Sequence, residues 1–171
     1  MGGPGQKVRN NRIAMEQAFI ATPLGVAELN GDSDGLRSVR ILDGGARPSD
    51  ILPESLEDAC YQLKEYFVGA RHIFDLKLNP DGTAFQQKVW RAISEIPYGK
   101  SCSYLQLSKT VGDPNAIRAV ATSCGKNPLW VLIPCHRIIG SDGSLVGYGG
   151  GLHRKKWLLE HESPNKQVKL F

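Results

Sequence analysis

The sequence has few cysteines, and it lacks the arrangements in which cysteines usually form a structural framework. Four occur in 171 residues, Cys60, Cys102, Cys124 and Cys135, and none belongs to a C-x-x-C pair. So few thiols in so long a chain argue against a disulfide scaffold. For zinc, the N-terminal half offers only Cys60 and His72. We therefore expect free thiols in a reducing compartment and no bound metal.

Long apolar runs are also absent. No stretch approaches the ~20 apolar residues that a membrane-spanning helix needs, and no signal peptide precedes the first strand-like segment. Hydrophobic residues make up 41% of the chain and charged residues 22%, which is typical of a soluble globular protein. These features predict a cytoplasmic protein without a membrane partner, or a nuclear one if the source is eukaryotic.

Acidic residues are scarce in the second half of the chain. Residues 83–171 carry 12 Lys or Arg side chains against 5 Asp or Glu, whereas residues 1–82 carry 9 basic and 12 acidic side chains. This asymmetry indicates either a polyanionic partner for the second half or a basic surface that is merely solvated. Charge alone leaves both interpretations open.

The first half is predicted to form a small antiparallel sheet followed by a helix. Strand-like patterns cover 19–22, 26–29 and 36–42, with turn residues between them. Helical spacing of apolar residues follows over 55–68, and a further strand is predicted at 74–78.

The second half is predicted to be mostly helical. Thr83 is a candidate N-cap for a first helix and Ser103 for a short second one. Asp113, followed by Pro114, is predicted to cap a third helix that ends at Gly125. The second and third helices would then form a helix-turn-helix.

The third predicted helix carries mainly small side chains. Ala119, Ala121 and Thr122 are compatible with tight packing against another helix, or with approach to a narrow nucleic-acid groove. Arg118 is the one long side chain. A helix that reads bases usually presents several Arg, Asn or Gln side chains. We therefore expect any DNA binding to depend little on sequence.

A cysteine lies directly beside a histidine after an apolar run. Residues 131–133 are predicted to form a strand that delivers Cys135 and His136 into a loop. The thiolate is the nucleophilic form, and a neighbouring imidazole, or the guanidinium of Arg137, can lower the cysteine pKa. The pair therefore indicates covalent chemistry at sulfur, although an isolated Cys-His pair is weak evidence.

Eight short segments of the second half lie in an order and at a spacing that a known family shares. They read FQxxVW (85–90), IPYG (96–99), SYxxL (103–107), RAV (118–120), GxNP (125–128), IPCHRII (133–139), GYxGGL (147–152) and KWLLEHE (156–162). In these segments the chain resembles the O6-alkylguanine-DNA alkyltransferases, which repair DNA by direct reversal of damage.

The resemblance implies an α+β fold. A small N-terminal subdomain, an antiparallel sheet plus helix of ribonuclease H-like type, would precede a mostly helical C-terminal domain that contains the helix-turn-helix and the active-site cysteine loop. The expected divisions are a flexible N-terminus at 1–17, the N-terminal subdomain at 18–82, the C-terminal DNA-binding and alkyltransferase domain at 83–163, and a tail at 164–171.

The resemblance also implies a reaction. Cys135 would accept the alkyl group of O6-alkylguanine, and also of O4-alkylthymine, once and irreversibly. His136 would act as general base, oriented by Glu162, and Tyr104 would protonate the departing guanine. Asn127 would bridge the helix-turn-helix and the cysteine loop.

The target base would have to be flipped out of the duplex to reach the thiol. The resemblance implies that Tyr148 and the backbone at Ile138, Gly149 and Gly150 would bind the base. Arg118, Ala119, Tyr104 and Ser141 would contact DNA. The implied partner is double-stranded DNA, bound by a monomer with little sequence preference and with neither cofactor nor metal.

Gly149 departs from relatives that have serine at the same position, which predicts a slightly roomier pocket.

Two alternative functions stay open. A sequence-specific helix-turn-helix regulator would give a sequence-dependent footprint on DNA, and a Cys-His hydrolase would turn over repeatedly on an ester or amide.

Overall fold

The computed structural model describes residues 14–164, and the order of its elements confirms the α+β class. No helix within this range is long and apolar enough to cross a membrane. The strands are β1 (Glu16–Thr22), β2 (Gly25–Asp32), β3 (Gly35–Ile41), β4 (Cys102–Ser103) and β5 (Ile138–Ile139). The helices are α1 (Glu54–Phe67), α2 (Ala84–Ser94), α3 (Tyr104–Val111), α4 (Ile117–Gly125) and α5 (Leu152–Glu162), with a short 3-10 turn at Cys135–Arg137.

The ends of the chain differ slightly from the expected divisions. Strand β1 begins at Glu16, so the last two residues of the predicted N-terminal lead-in belong to the sheet. The rest of that lead-in up to residue 13, and residues 165–171 of the predicted tail, lie outside the described residues.

The first three strands form an antiparallel sheet in the order β1-β2-β3. Alternation places small and branched apolar side chains on one face, where Ala18 pairs with Leu29 and Ile20 with Ala27, all of them buried. Helix α1 covers this face, because its apolar residues recur at helical spacing and are buried as well. Each fully buried Leu or Ile contributes roughly 1.5–3 kcal/mol to folding.

Two of the predicted helix starts are confirmed. Thr83 caps α2 and Ser103 caps α3, and each forms a capping box with the glutamine three residues later, Gln86 and Gln106 respectively. Helix α3 ends at Gly112, whose φ of 108° is readily adopted only by glycine.

The predicted start of the next helix is wrong. Helix α4 begins at Ile117 with Ala116 as its N-cap, not at Asp113. Asp113 instead holds a separate turn, because its carboxylate accepts from Asn115 N at 2.8 Å and its carbonyl accepts from Ala116 N at 3.0 Å. Helices α3 and α4 pack on each other across this connection.

Two predicted strands are not formed. At 74–78 the chain makes only an isolated bridge from Leu78 to Leu36, because the side chain of Gln62 binds both the N–H and the carbonyl of Asp75. At 131–133 the chain turns, since Val131 has a φ of 73°, which cannot continue an extended strand.

Two short connections position the cysteine loop. Strands β4 and β5 pair in parallel, with Cys102 opposite Ile138, so the start of α3 lies beside the 3-10 turn. Leu129 bridges Val39 of the N-terminal sheet, which anchors the segment before the cysteine. The loop is thus fixed from both halves of the chain.

Candidate active site

Cys135 lies in the wall of a cavity of about 220 Å³. Helices α3 and α4, the 3-10 turn and the glycine-rich loop before α5 all contribute to this wall. The lining residues are Tyr104, Ala121, Cys124, Gly125, Cys135, Gly147, Tyr148 and Gly149. Three other cavities, of about 570, 470 and 370 Å³, lie elsewhere in the described part of the chain, and no cysteine lines any of these three. The cavity of about 220 Å³ is therefore the candidate site for chemistry at sulfur.

Asn127 connects the end of α4 to the cysteine loop. Its Nδ2 donates to Cys135 Sγ at 3.2 Å and to the carbonyl of Ile133 at 2.8 Å, while its Oδ1 accepts from Leu129 N at 2.8 Å. All three hydrogen bonds are buried. The amide of Asn127 therefore holds the segment before the cysteine and contacts the sulfur itself.

The thiol is the resting form of Cys135. Burial raises its pKa well above the ordinary value, interaction with the thiol of Cys124 raises it further, and Asn127 and Lys155 lower it. Arg137, which the sequence suggested as an activator, is instead bound to Glu162. The cysteine therefore has to lose a proton as it reacts.

Glu162 is the centre of a buried network behind the cysteine. His136 Nε2 lies 2.6 Å from Oε2, and Arg137 donates from Nε to Oε1 at 2.7 Å and from Nη2 to Oε2 at 3.1 Å. The hydroxyl of Tyr66 donates to Oε2 at 2.7 Å. Burial alone would raise the pKa of Glu162, but the hydrogen bonds and charges of His136 and Arg137 hold it well below its usual range. The carboxylate is therefore an anion.

The network decides which nitrogen of His136 can act as a base. Burial lowers the pKa of His136, against the opposing effect of Glu162, so the ring is neutral near pH 7. A neutral ring that donates from Nε2 to Glu162 has its lone pair on Nδ1. That atom is buried and has no hydrogen-bond partner among the described residues. Nδ1 can therefore accept a proton.

Two tyrosines line the cavity with the cysteine. Tyr104 donates to the carbonyl of Val146 at 3.2 Å, and burial, together with Cys124 and Cys135, raises its pKa to about 12. The hydroxyl of Tyr148 is buried without a hydrogen-bond partner within residues 14–164. A phenol that keeps its proton at neutral pH can donate that proton to an acceptor atom in the cavity.

The glycines of the loop differ in the space around them. A Cβ on Gly149 would lie 3.6 Å from the ring of Trp130, which is an ordinary contact. A Cβ on Gly150 would lie 2.9 Å from the ring of Tyr148 and 3.1 Å from Trp130, so that position has no room for a side chain. Ile138 lies outside the lining of the cavity, and its carbonyl is bound by Lys155.

Of the four residues expected to contact DNA, Arg118, Ala119 and Ser141 are exposed, whereas Tyr104 is half-buried. Arg118 and Ala119 lie on α4, the helix that also supplies Ala121 to the cavity. Ala119, Ala121 and Thr122 are exposed, so their small size does not serve packing against a neighbouring helix. Ser141 is exposed on a separate turn after β5.

Lys155 is a fully buried residue of the site that the sequence motifs do not mark. Its Nζ donates to the carbonyls of Ile138, Val146 (3.0 Å) and Gly147 (3.1 Å), and so ties α5 to the loop that lines the cavity. The helical spacing of Lys155, Leu158 and Glu162 was the available signal, because it places the lysine on the buried face of α5.

Replacing Lys155 with methionine is expected to loosen that loop. Three carbonyl groups lose their donor, so hydrogen exchange at 146–150 should accelerate and alkyl transfer should slow by about tenfold or more. Exchange mass spectrometry and single-turnover assays measure the two effects. Lys156→Met, at the exposed neighbouring position, is the control. Unchanged exchange in the Lys155 variant would contradict the role.

Metal ligation finds no support in the part of the chain that the structure describes. Among residues 14–164, no group of three or more His, Cys, Asp or Glu side chains is arranged to hold a metal ion.

Comparison with known proteins gives matches over most of the chain. Residues 84–164 match the family described as "6-O-methylguanine DNA methyltransferase, DNA binding domain". The "Methylated-DNA--protein-cysteine methyltransferase" of Methanosarcina barkeri is 43% identical over 152 residues, which are 86% of this chain and 96% of the relative. The protein of the same name from Mycobacterium tuberculosis is 42% identical over 147 residues, 84% of this chain and 89% of the relative.

Solved structures agree. The crystal structure of the Mycobacterium tuberculosis O6-methylguanine methyltransferase superposes with a TM-score of 0.78 at 39% identity, covering 87% of this chain and 93% of that one. A crystal structure of the protein from this organism in complex with DNA gives a TM-score of 0.76 at 38% identity, covering 89% and 98%.

Proposed function

The chain belongs to the 6-O-methylguanine DNA methyltransferase family, and from this premise we propose that Cys135 is the acceptor of the alkyl group. The protein repairs DNA by transferring an alkyl group from O6-alkylguanine to one of its own cysteines. Of the two cysteines in the cavity, Cys135 alone receives the hydrogen bond from Asn127 and adjoins the network of His136 and Glu162. That contrast is the observation that carries the assignment.

The proposed reaction is an in-line displacement at the alkyl carbon. The sulfur of Cys135 forms a bond to this carbon while the bond from carbon to guanine O6 breaks. The thiol proton passes to Nδ1 of His136, directly or through a water, and Glu162 stabilises the imidazolium. Tyr104 donates its phenolic proton to the departing guanine anion. The product is a thioether, which none of these groups can cleave, so each molecule acts once.

Because Cys135 is buried in the wall of the cavity, the base has to leave the duplex to reach its sulfur. Flipping costs a few kcal/mol, and less for a poorly paired alkylated base. Arg118 would enter the vacated space from α4, with Ala119 close to the groove and Ser141 near the backbone. Tyr148 and the backbone at Gly149 would enclose the base, and O4-alkylthymine would enter the same site. Since the second half of the chain is rich in Lys and Arg, affinity should fall steeply with salt.

Neither alternative function is favoured. The relatives are named for transfer to a protein cysteine, not for regulation of transcription or for hydrolysis. Membership of the family also supports two structural units divided near residue 83 and action as a monomer. Because the relatives named above are prokaryotic, it supports a cytoplasmic location as well.

Intact-mass measurement tests the proposal. The protein is mixed with duplex DNA that contains one O6-methylguanine, and we expect each molecule to gain one methyl group, mapped by peptide sequencing to Cys135. Stoichiometry should stop at one methyl per protein when the DNA is in excess. Transfer to another side chain, or repeated turnover with an unmodified thiol, would refute the assignment.

The alkylated protein is expected to be less stable than the free protein. Cys135 is only 5% exposed, so a benzyl group on its sulfur has to fit into the cavity of about 220 Å³ between the side chains of the wall, and overpacking there costs typically ~1–3 kcal/mol. For a chain of this length the melting temperature should fall by roughly 2–10 °C. Calorimetry before and after reaction with O6-benzylguanine measures the change. Equal melting temperatures would contradict the expectation.

Replacing Arg118 with alanine is expected to affect duplex DNA far more than a free base. The variant lacks the side chain that would support a flipped base, so transfer from methylated duplex should slow by about tenfold or more. Reaction with free O6-benzylguanine should keep the wild-type rate, because no base is flipped. Lys126→Ala, an exposed cation after α4, is the control for charge alone. Equal losses on both substrates would contradict a flipping role.

A further inference from the structure

We propose that Tyr66 of α1 is a positioning residue for the alkyl transfer, because its hydroxyl group holds the carboxylate that orients His136. The inference rests on the proposed function, and it adds a member from the N-terminal half of the chain to the reaction. The other members, His136, Arg137 and Glu162, all lie within the matched segment 84–164.

The contact of Tyr66 is direct and buried. Its hydroxyl donates to Glu162 Oε2 at 2.7 Å, and Tyr66 is 0% exposed. The same oxygen receives His136 Nε2 at 2.6 Å, so the phenol and the imidazole share one acceptor atom. A change at the hydroxyl therefore acts on the atom to which the histidine is bound.

Tyr66 is itself fixed in place. Its carbonyl lies 2.7 Å from His161 Nε2, one residue before Glu162. Its ring makes edge contacts with Phe67, Tyr98 and His161 at centroid distances of 5.2, 6.2 and 5.2 Å. A hydroxyl on so constrained a ring has little freedom, and it holds Oε2 in a single orientation toward the imidazole.

Donation by the phenol also limits the basicity of the carboxylate. A carboxylate with fewer donors is a stronger base, and it stabilises the imidazolium form of His136 more strongly. The hydroxyl of Tyr66 therefore helps to keep His136 neutral, with Nδ1 free to take the thiol proton. Arg137 and Lys155 act in the same direction, because their positive charges lower the pKa of His136.

Other titratable groups around the carboxylate belong to different elements. Tyr98, from the loop after α2, and His161, from α5, both lie near Glu162. The hydroxyl of Tyr98 donates to the carbonyl of His161 at 3.4 Å, and the backbone N–H of Gly99 lies 3.5 Å from Glu162 Oε1. Oε2 of Glu162 thus receives the phenol of Tyr66 beside the ring of His136 and the guanidinium of Arg137.

Tyr66→Phe tests the inference, because it removes one oxygen atom and keeps the ring. With saturating methylated duplex, the single-turnover rate should fall about tenfold, while the dissociation constant for DNA stays unchanged. The acidic limb of the pH–rate profile should move to higher pH, since a more basic Glu162 raises the pKa of His136. Tyr61→Phe, on the same helix and 62% exposed, is the matched control.

A double-mutant cycle separates positioning from general damage. In a Glu162→Gln background, Tyr66→Phe should cause less than about a twofold further loss, because the hydroxyl acts through the carboxylate. The inference is overturned by a wild-type rate and pH profile in Tyr66→Phe. A rate loss of equal size at every pH and in both backgrounds also overturns it. Transfer of the methyl to a residue other than Cys135 in the wild type would refute the proposed function instead.

Discussion

Cys135→Ala is expected to abolish alkyl transfer and to leave DNA binding within about twofold of the wild type. The variant lacks the sulfur that forms the new bond, and a loss of at least ~1,000-fold is expected when the nucleophile is removed. Binding should persist because Arg118 and Ala119 are exposed on α4 and do not line the cavity around the sulfur. Mass spectrometry and fluorescence anisotropy with methylated duplex measure the two properties.

The control for Cys135→Ala is Cys60→Ala. Cys60 is buried in α1, in the N-terminal core, so its loss costs some stability but should leave transfer intact. Cys124 makes the experiment more informative, because it lines the same cavity. Methylation of Cys124 at a rate near that of the wild type in the Cys135 variant would show that the acceptor is not unique.

Glu162→Gln is expected to reduce both stability and activity. The amide cannot neutralise Arg137, whose guanidinium then stays buried and unpaired, which typically costs about 3–5 kcal/mol. Transfer should slow by about a hundredfold, since the amide stabilises the His136 cation less well. Denaturant unfolding and single-turnover assays measure the effects. Glu160→Gln, exposed on the same helix, is the control, and equal losses in both variants would contradict the prediction.

The Glu162 carboxylate should also make the free energy of unfolding depend on pH. Its pKa is depressed in the folded protein, whereas an unfolded glutamate titrates near ~4.3. The stabilisation is therefore fully present above pH ~4.3 and is lost as the pH falls toward the folded pKa. Wild-type stability should decline in this acidic window, and Glu162→Gln should decline less. Parallel curves for the two proteins would contradict this assignment.

Local chemistry in the sequence accounts for the helix starts that were predicted correctly. Thr83 and Ser103 each precede a glutamine by three residues, and this signal is complete within four positions. Asp113 is followed by Pro114 but has no glutamine three residues later, and its side chain binds the backbone N–H of a turn instead. The strand expected at 131–133 failed for a different reason, since apolar character does not reveal that Val131 adopts a positive φ.

The members of the candidate site differ in how far the sequence reveals them. Cys135, His136 and Asn127 are near one another along the chain and form recognisable motifs. Tyr66 lies 96 positions before Glu162, and nothing in its neighbours marks it as a partner of that carboxylate. Lys155 stands in a basic run whose composition suggests a solvated face. Only the helical spacing from Leu158 and Glu162 signals that this lysine is buried, and the contact between Tyr66 and Glu162 depends on how separate elements pack together, which local patterns do not encode.

The unequal surroundings of the two neighbouring glycines have a consequence for engineering. A variant library that aims at bulkier or more polar alkyl adducts can diversify Gly149, whose Cβ would lie in ordinary contact with the ring of Trp130 at 3.6 Å. The same library should hold Gly150 constant, because any side chain there would push the ring of Tyr148, 2.9 Å away, out of the pocket wall. Substrate scope can therefore evolve at one position while its neighbour is held invariant by steric exclusion.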